Sequence, residues 1–142
     1  MDVRLDGAVA FVTGGGGGFG RAFSTGFAEA GAAVAVVDWD RDLAESVAAD
    51  IRSAGGQAQA YQCDVRSADS VHSTVQSVVD RFGGLDVLMN IAGHSYRSPI
   101  QELSEEDWDL TLDINLKGMF LCCKAAVPHL IARGGGRIIK IG

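Results

Sequence analysis

The sequence is poor in the residues that staple small proteins together. It holds three cysteines in 142 residues, Cys63, Cys122 and Cys123. An odd number with no metal-ligand spacing excludes a disulfide framework and gives no metal centre. Free thiols in a reducing cytoplasm are the expectation. Positive charge is also scarce: 12 Lys and Arg stand against 18 Asp and Glu, a net charge of −6. Such a chain is a poor partner for nucleic acid or an anionic membrane surface. No apolar run approaches the roughly 18 residues of a membrane span. The opening "MDVRLDGAVAF" has early acids and no long apolar core, so no secretory leader is expected. No inter-domain linker interrupts the chain, which reads as one domain over 1–142. Apolar residues at 47% and charged residues at 21% suit a globular protein with a real core.

What is abundant is glycine, and it is placed at the ends of elements. "AVAFVT" (Ala8–Thr13) reads as a strand buried on both faces and runs into "GGGGGFG", Gly14 to Gly20. Phe19, Phe23 and Phe27 then recur every four residues, which predicts a helix with an apolar face. "AVAVVD" (Ala33–Asp38) is a second buried strand. Asp40 caps a helix with the stripe Leu43, Val47, Ile51 and Ala54. "QAQAYQCDV" (Gln57–Val65) is a weaker third strand. Ser67 caps a helix with Val71, Val75, Val78 and Phe82 on one face. "LDVLMNIAG" (Leu85–Gly93) holds a fourth strand and a turn, followed by the loop "HSYRSPIQEL". Ser104, with Asp107 three residues on, resembles a capping box. It opens a long helix through Trp108, Leu112, Leu116 and Phe120 towards Leu130. "GGGRIIKIG" leads into a fifth strand. Strands alternating with helices predict an α/β fold, a Rossmann-like doubly wound parallel sheet.

The glycine run lies between a buried strand and a helix start, so it is no linker. A helix start offers unpaired N–H groups and the positive end of the helix dipole, where a phosphate can sit if the backbone comes close. Gly15, Gly17 and Gly20 satisfy G-x-G-x-x-G, though five consecutive glycines make that match cheap. Thr13, Gly14, Gly18, Phe19 and Gly20 satisfy T-G-x-x-x-G-[aromatic or aliphatic]-G. No Gly-Lys-Ser/Thr follows, which excludes a P-loop. The second strand ends at Asp38, where a dinucleotide fold places an acid against the ribose 2′-hydroxyl. A carboxylate there repels a 2′-phosphate, which favours NAD over NADP. A methyltransferase of similar topology fits less well, since Val12 and Thr13 stand where those proteins carry an acid before the glycines.

These motifs, in this order, resemble the short-chain dehydrogenase/reductase family, classical type. The resemblance covers essentially the whole chain. It implies that Thr13, Gly14, Gly17, Gly18, Phe19 and Gly20 form the cofactor loop and that Asp38 selects NAD. "CDV" implies that Asp64 and Val65 lie at the adenine. "NIAG" matches the family's Asn-Asn-Ala-Gly motif at Asn90, Ala92 and Gly93, beside the nicotinamide ribose, with Ile91 departing at the second Asn. "INLKG" implies that Asn115 is the asparagine of the catalytic tetrad. The implied protein is an NAD-dependent oxidoreductase acting on a small-molecule alcohol or carbonyl compound. It is expected to be a homo-oligomer, with the long helix in a dimer interface.

One departure is serious. The family's chemistry uses a Ser, then Tyr-x-x-x-Lys, and neither tyrosine has that spacing: Tyr61 is followed by Val65 and Tyr96 by Ile100. By register the serine would fall just after Gly142. The expectation is therefore a cofactor-binding portion truncated after the fifth strand, or alternatively a non-catalytic NAD-binding module. His94, Ser95 and Tyr96 fall where relatives line the mouth of the active site; Trp108 and the Met119–Cys123 region are expected to be packing residues.

Overall fold

The computed structural model describes residues 3–142. Five strands, β1 (Val9–Thr13), β2 (Ala33–Asp38), β3 (Gln57–Gln62), β4 (Val87–Asn90) and β5 (Arg137–Lys140), form one sheet in the order β3-β2-β1-β4-β5. Every pairing is parallel. The connections are α1 (Gly18–Glu29), α2 (Arg41–Ser53), α3 (Ala68–Phe82) and a long helical passage. That passage consists of α4 (Glu105–Leu112), a π-helical turn (Asp113–Lys117) and α5 (Gly118–Ala132). The doubly wound architecture expected from the alternation is the one observed.

β1 is central and wholly buried, and its side chains divide between two cores. Val9 and Phe11 join Val71, Val75 and Val78 of α3 and Cys122, Ala126 and Leu130 of α5. Ala10 and Val12 point the other way, to Ala44, Val47, Ala48 and Ile51 of α2. Period-two alternation in a strand thus feeds two helix layers, as a covered parallel sheet requires. The predicted caps form: Asp40 accepts from the N–H groups of Asp42 and Leu43, Ser67 from Ser70, and Ser104 from Asp107.

Three expected apolar faces are turned differently. Phe19 and Phe23 are 71% and 39% exposed, and α1 instead buries Gly20 and Ser24. A Cβ on Gly20 would collide with the carbonyl oxygen of Gly14, so the helix start lies too close to the loop for anything but its smallest side chains. In α2, Leu43 is exposed and Ala44 takes the buried position. In the long passage, Trp108, Leu112, Leu116 and Phe120 are exposed, and the core side is Gly118, Cys122, Ala126 and Leu130. Trp108 is therefore not a packing residue, whereas Cys122 is. The π turn adds a residue to one turn and resets which residues of the following helix face the sheet. β5 is the outer strand and is exposed along its length.

At the end of the sheet opposite the glycine loop, Asp86 ties three elements together. It accepts from the N–H of Val9 at 2.8 Å and from the Arg133 guanidinium at 3.1 and 2.9 Å. Arg133 also donates to the carbonyl of Gly7. Burial pushes the Asp86 carboxyl up, but Arg133 and the Val9 N–H outweigh it and hold the group below the usual carboxylate range.

Candidate functional site

The neighbours of β1 are β2 on one side and β4 on the other, so the sheet order reverses at its C-terminal end. Open α/β sheets bind ligands at such a switch point. A cavity of about 520 Å³ lies there. Its lining includes the glycine loop, the end of β2, the segment after β3 and the turn after β4.

The glycines of the run differ in what surrounds them. Gly14 has φ +64, a conformation that disfavours side chains, and its Cβ position lies 3.0 Å from the backbone of Ala92. A Cβ on Gly15 would stand 2.9 Å from Val12 O and from Val36 of β2. One on Gly16 would stand 2.7 Å from Leu43 of α2. Gly17 is the N-cap of α1 and supplies no side-chain cap. A Cβ on Gly18 meets nothing within 4 Å, although the residue lines the cavity. Side chains are thus excluded at Gly15 and Gly16 by β2 and α2. At Gly18, only an occupant of the cavity would exclude one. The first turn of α1 carries no acid, so its positive end is uncompensated, and its N–H groups have no carbonyl a turn back within the helix.

Asp38 is 8% exposed and serves this loop directly. Its carboxylate accepts from the N–H of Gly16 at 3.0 Å and of Asp40 at 3.1 Å. It therefore fixes the glycine loop to the start of the α2 region while lining the cavity. Asp64 also lines the cavity and is chelated by Arg66, whose guanidinium and backbone N–H donate to both carboxylate oxygens at 2.7–3.1 Å. The Arg66 hydrogen bonds hold the Asp64 carboxyl below the usual carboxylate range, against a partial burial that works the other way. Val65 packs on the end of the π turn, where a Cβ on Gly118 would meet its Cγ2 at 2.9 Å.

The cavity lining brings together Gly14, Gly17, Gly18, Phe19, Gly20, Asp38, Asp64, Val65, Ala92 and Gly93 of the residues singled out from the sequence. Thr13, Asn90 and Asn115 are outside that lining. The Thr13 hydroxyl, 1% exposed, accepts from the N–H groups of Ile91 and Ala92 at 3.1 and 3.2 Å and so pins the turn after β4 to the end of β1. The Asn90 amide reaches the Cys123 sulfur at 3.8 Å, and its carbonyl accepts from Ile141. Asn115, in the π turn, is committed to the backbone of His94: its Oδ1 accepts from the N–H at 2.7 Å and its Nδ2 donates to the carbonyl at 2.8 Å. The π turn thereby holds the start of the loop that carries His94 and Tyr96, whose rings meet edge to face at 4.5 Å.

Trp39, Leu43 and Arg66 line the cavity without having been read from the sequence as site residues. The signal for Trp39 is its place directly after the acid that ends a buried strand, where the chain leaves the sheet. Two of the cysteines, Cys63 and Cys122, are buried thiols. Burial pushes the Cys63 thiol up, and Cys122, buried beside Cys63 and Cys123, is pushed up to about 12. Among the described residues no group of His, Cys, Asp and Glu could hold a metal ion, and no helix is long and apolar enough to cross a membrane.

A parallel sheet, a glycine turn at its switch point and an acid ending the second strand define an open α/β protein with a cavity at its switch point. The family model for short chain dehydrogenases matches residues 8–142, and the chain belongs to that family. It is 42% identical over 141 residues to D-threitol dehydrogenase of Mycolicibacterium smegmatis, covering 99% of this chain and 54% of that protein. It is 41% identical to the 2,5-dichloro-2,5-cyclohexadiene-1,4-diol dehydrogenase LinX of Sphingobium indicum, covering 99% and 56%. Among solved structures, a hydroxysteroid dehydrogenase from Escherichia coli superposes with a TM-score of 0.91 at 33% identity, over 96% of this chain and 58% of that one. The chain spans about half the length of the curated relatives it matches.

Proposed function

We propose that these 142 residues are the dinucleotide-binding portion of an NAD-dependent oxidoreductase that interconverts an alcohol and a carbonyl compound. One observation carries the reading. The cavity joins a helix N-terminus whose Gly18 faces open space to the carboxylate of Asp38 at the end of the next strand. The first is a phosphate seat and the second a partner for a ribose hydroxyl. The turn Gly14–Gly20 would hold the pyrophosphate, Asp38 the adenosine ribose, the segments after β2 and β3 the adenine, and Ala92 and Gly93 the nicotinamide ribose. When bound, the nicotinamide gives or takes the hydride. The residues present here would hold and orient it.

Asp38 makes NAD the favoured cofactor, because a 2′-phosphate would meet its negative charge in a nearly buried place. Asn115 is the residue of this chain that we assign to the proton-transfer side. Its side chain is committed to His94, which leaves its main chain in the π turn to hold a water. The Ser and Tyr-x-x-x-Lys of the family lie outside these residues in this reading. Relatives named for a polyol and a cyclic diol support a small-molecule alcohol or carbonyl substrate. The net charge of −6 argues against nucleic acid. Three free cysteines fit a reducing cytoplasm. The exposed stripe of Trp108, Leu116 and Phe120 supports self-association of the whole protein.

The experiment is calorimetric titration of this chain with NAD and NADP. NAD should bind, and more tightly than NADP; a folded chain that binds neither overturns the reading. A second reading, a binding module without chemistry, draws support from the absence of a lysine four residues after Tyr61 or Tyr96. Turnover of NADH by the longest natural form of the protein would reject it.

A further inference from the structure

One polar side chain stands alone on an apolar stretch of the cavity wall. Between the turn after β4 and the long helical passage, the lining consists of Ile91, Ala92, Gly93, Leu110 and Ile114, with His94 among them. The charged side chains of the lining, Asp38, Asp64 and Arg66, come from the ends of β2 and β3 instead. His94 is exposed, and an exposed side chain ordinarily keeps its freedom among rotamers. This one is held at both its main chain and its ring. Asn115 of the π turn accepts from the His94 N–H at 2.7 Å and donates to the His94 carbonyl at 2.8 Å. Tyr96 meets the imidazole edge to face, with ring centroids 4.5 Å apart and planes at 80°, an arrangement that aromatic pairs favour. Ordering an imidazole on an open surface costs rotamer entropy that no burial offsets. Such pre-organisation lowers the cost of meeting a ligand.

The argument rests on the oxidoreductase reading above, in which the nicotinamide end of the cofactor, and with it the reacting carbon, lies by Ala92 and Gly93. His94 is the next residue along that wall. The hydrocarbon part of a substrate would meet Ile91, Leu110 and Ile114, whereas an oxygen on the carbon beside the reacting one would meet His94. An imidazole can donate from one nitrogen and accept at the other, so it suits a hydroxyl. We propose that His94 is a specificity-determining residue that hydrogen-bonds this second oxygen, which makes the substrate class a vicinal diol or the hydroxycarbonyl compound related to it. Tyr96 is a positioning residue that holds the ring. A polar group set in an apolar wall discriminates well, because a ligand without the second oxygen displaces water from the imidazole and leaves it unpaired.

The test uses the longest natural form of the protein and pairs of alcohols that differ by one hydroxyl: 2,3-butanediol against 2-butanol, and cis-1,2-cyclohexanediol against cyclohexanol. With NAD, kcat/KM should favour the diol in at least one pair. In that pair His94→Phe, which keeps an aromatic ring for Tyr96 and loses both nitrogens, should lower the ratio of diol to mono-alcohol by roughly tenfold or more. Tyr96→Leu should lower the same ratio, and Tyr96→Phe, which restores the ring, should recover it. A second readout needs no turnover. In the NADH-loaded protein with ring-labelled histidine, the preferred diol should shift the His94 signal, identified by its absence from His94→Phe, and the mono-alcohol should shift it less. NAD reduction with no preference for a diol in either pair, or a ratio unmoved in a folded His94→Phe, would overturn the role of His94 and leave the oxidoreductase reading standing. A ratio unmoved in Tyr96→Leu would overturn the positioning role of Tyr96. No NAD reduction with any of the four alcohols, and no shift of the His94 signal, would overturn both the proposal and the reading beneath it.

Discussion

Replacing Gly18 by valine separates the two jobs that a glycine can have. The Cβ site at Gly18 meets nothing within 4 Å, and the residue does not have a positive φ. It is the first residue of α1, where valine costs a few tenths of a kcal/mol at most and glycine gains nothing in helix propensity. Folding stability should therefore change by no more than about 0.5 kcal/mol. Binding should not survive. The isopropyl group would occupy the space in front of the α1 N-terminus, where the pyrophosphate is to sit. Losing two charge-assisted hydrogen bonds to phosphate, each worth about 1.5–3 kcal/mol, removes about 3–6 kcal/mol. That is at least a hundredfold in affinity for NAD. Calorimetry for binding and urea denaturation for stability read the two quantities independently. Unchanged NAD affinity in Gly18→Val would refute the phosphate seat. A large loss of stability would refute the claim that the space is reserved for a ligand.

The other glycines and the two tethering acids give contrasting outcomes. Gly20→Ala should lower stability by several kcal/mol, because its methyl collides with Gly14 O, and a thermal melt at wild-type temperature would contradict the packing described. Asp38→Ala should narrow the preference for NAD over NADP and also cost about 1–2 kcal/mol of stability, since the N–H groups of Gly16 and Asp40 lose their acceptor. A wild type that already prefers NADP would reject the role of Asp38. The depressed Asp86 carboxyl contributes stability that is present above the unfolded Asp value of about 3.9 and lost as pH falls through its lower folded value. Urea denaturation should find Asp86→Asn less stable than wild type near neutrality by about 1–2 kcal/mol, with the gap closing as pH falls through and below the usual carboxylate range. A gap independent of pH would mean that the charge on Asp86 is irrelevant.

What could be read from the sequence follows from which physical signals are local. β2 was legible to the residue, because a six-residue apolar run ending in an acid has no other stable home. The caps at Asp40, Ser67 and Ser104 were legible because a capping side chain and its N–H partners are three residues apart or fewer. Periodicity predicted that α1 has an apolar face, yet not that Gly20 and Ser24 would be the buried side. That choice is made by the approach of the Gly14 carbonyl, a contact between loop and helix that no spacing rule encodes. The stripe from Trp108 to Phe120 misled for a related reason: it continues through a π turn, and the face that meets the sheet belongs to the helix after it. In the site, the glycine loop and Asp38 were visible as a motif. The packing roles of Gly15 and Gly16 against β2 and α2 were not, and neither was the pairing of Arg66 with Asp64 on the lining of the same cavity. Those depend on which loops the parallel sheet brings together at its C-terminal end.

In this reading the chain, as it stands, holds a dinucleotide at the end of β1. Titration of the 142-residue protein with NAD, with NADP and S-adenosylmethionine as comparisons, tests it most directly. NAD should bind saturably, NADP more weakly and S-adenosylmethionine not at all. A folded chain that ignores NAD, or that takes S-adenosylmethionine in its place, would contradict it.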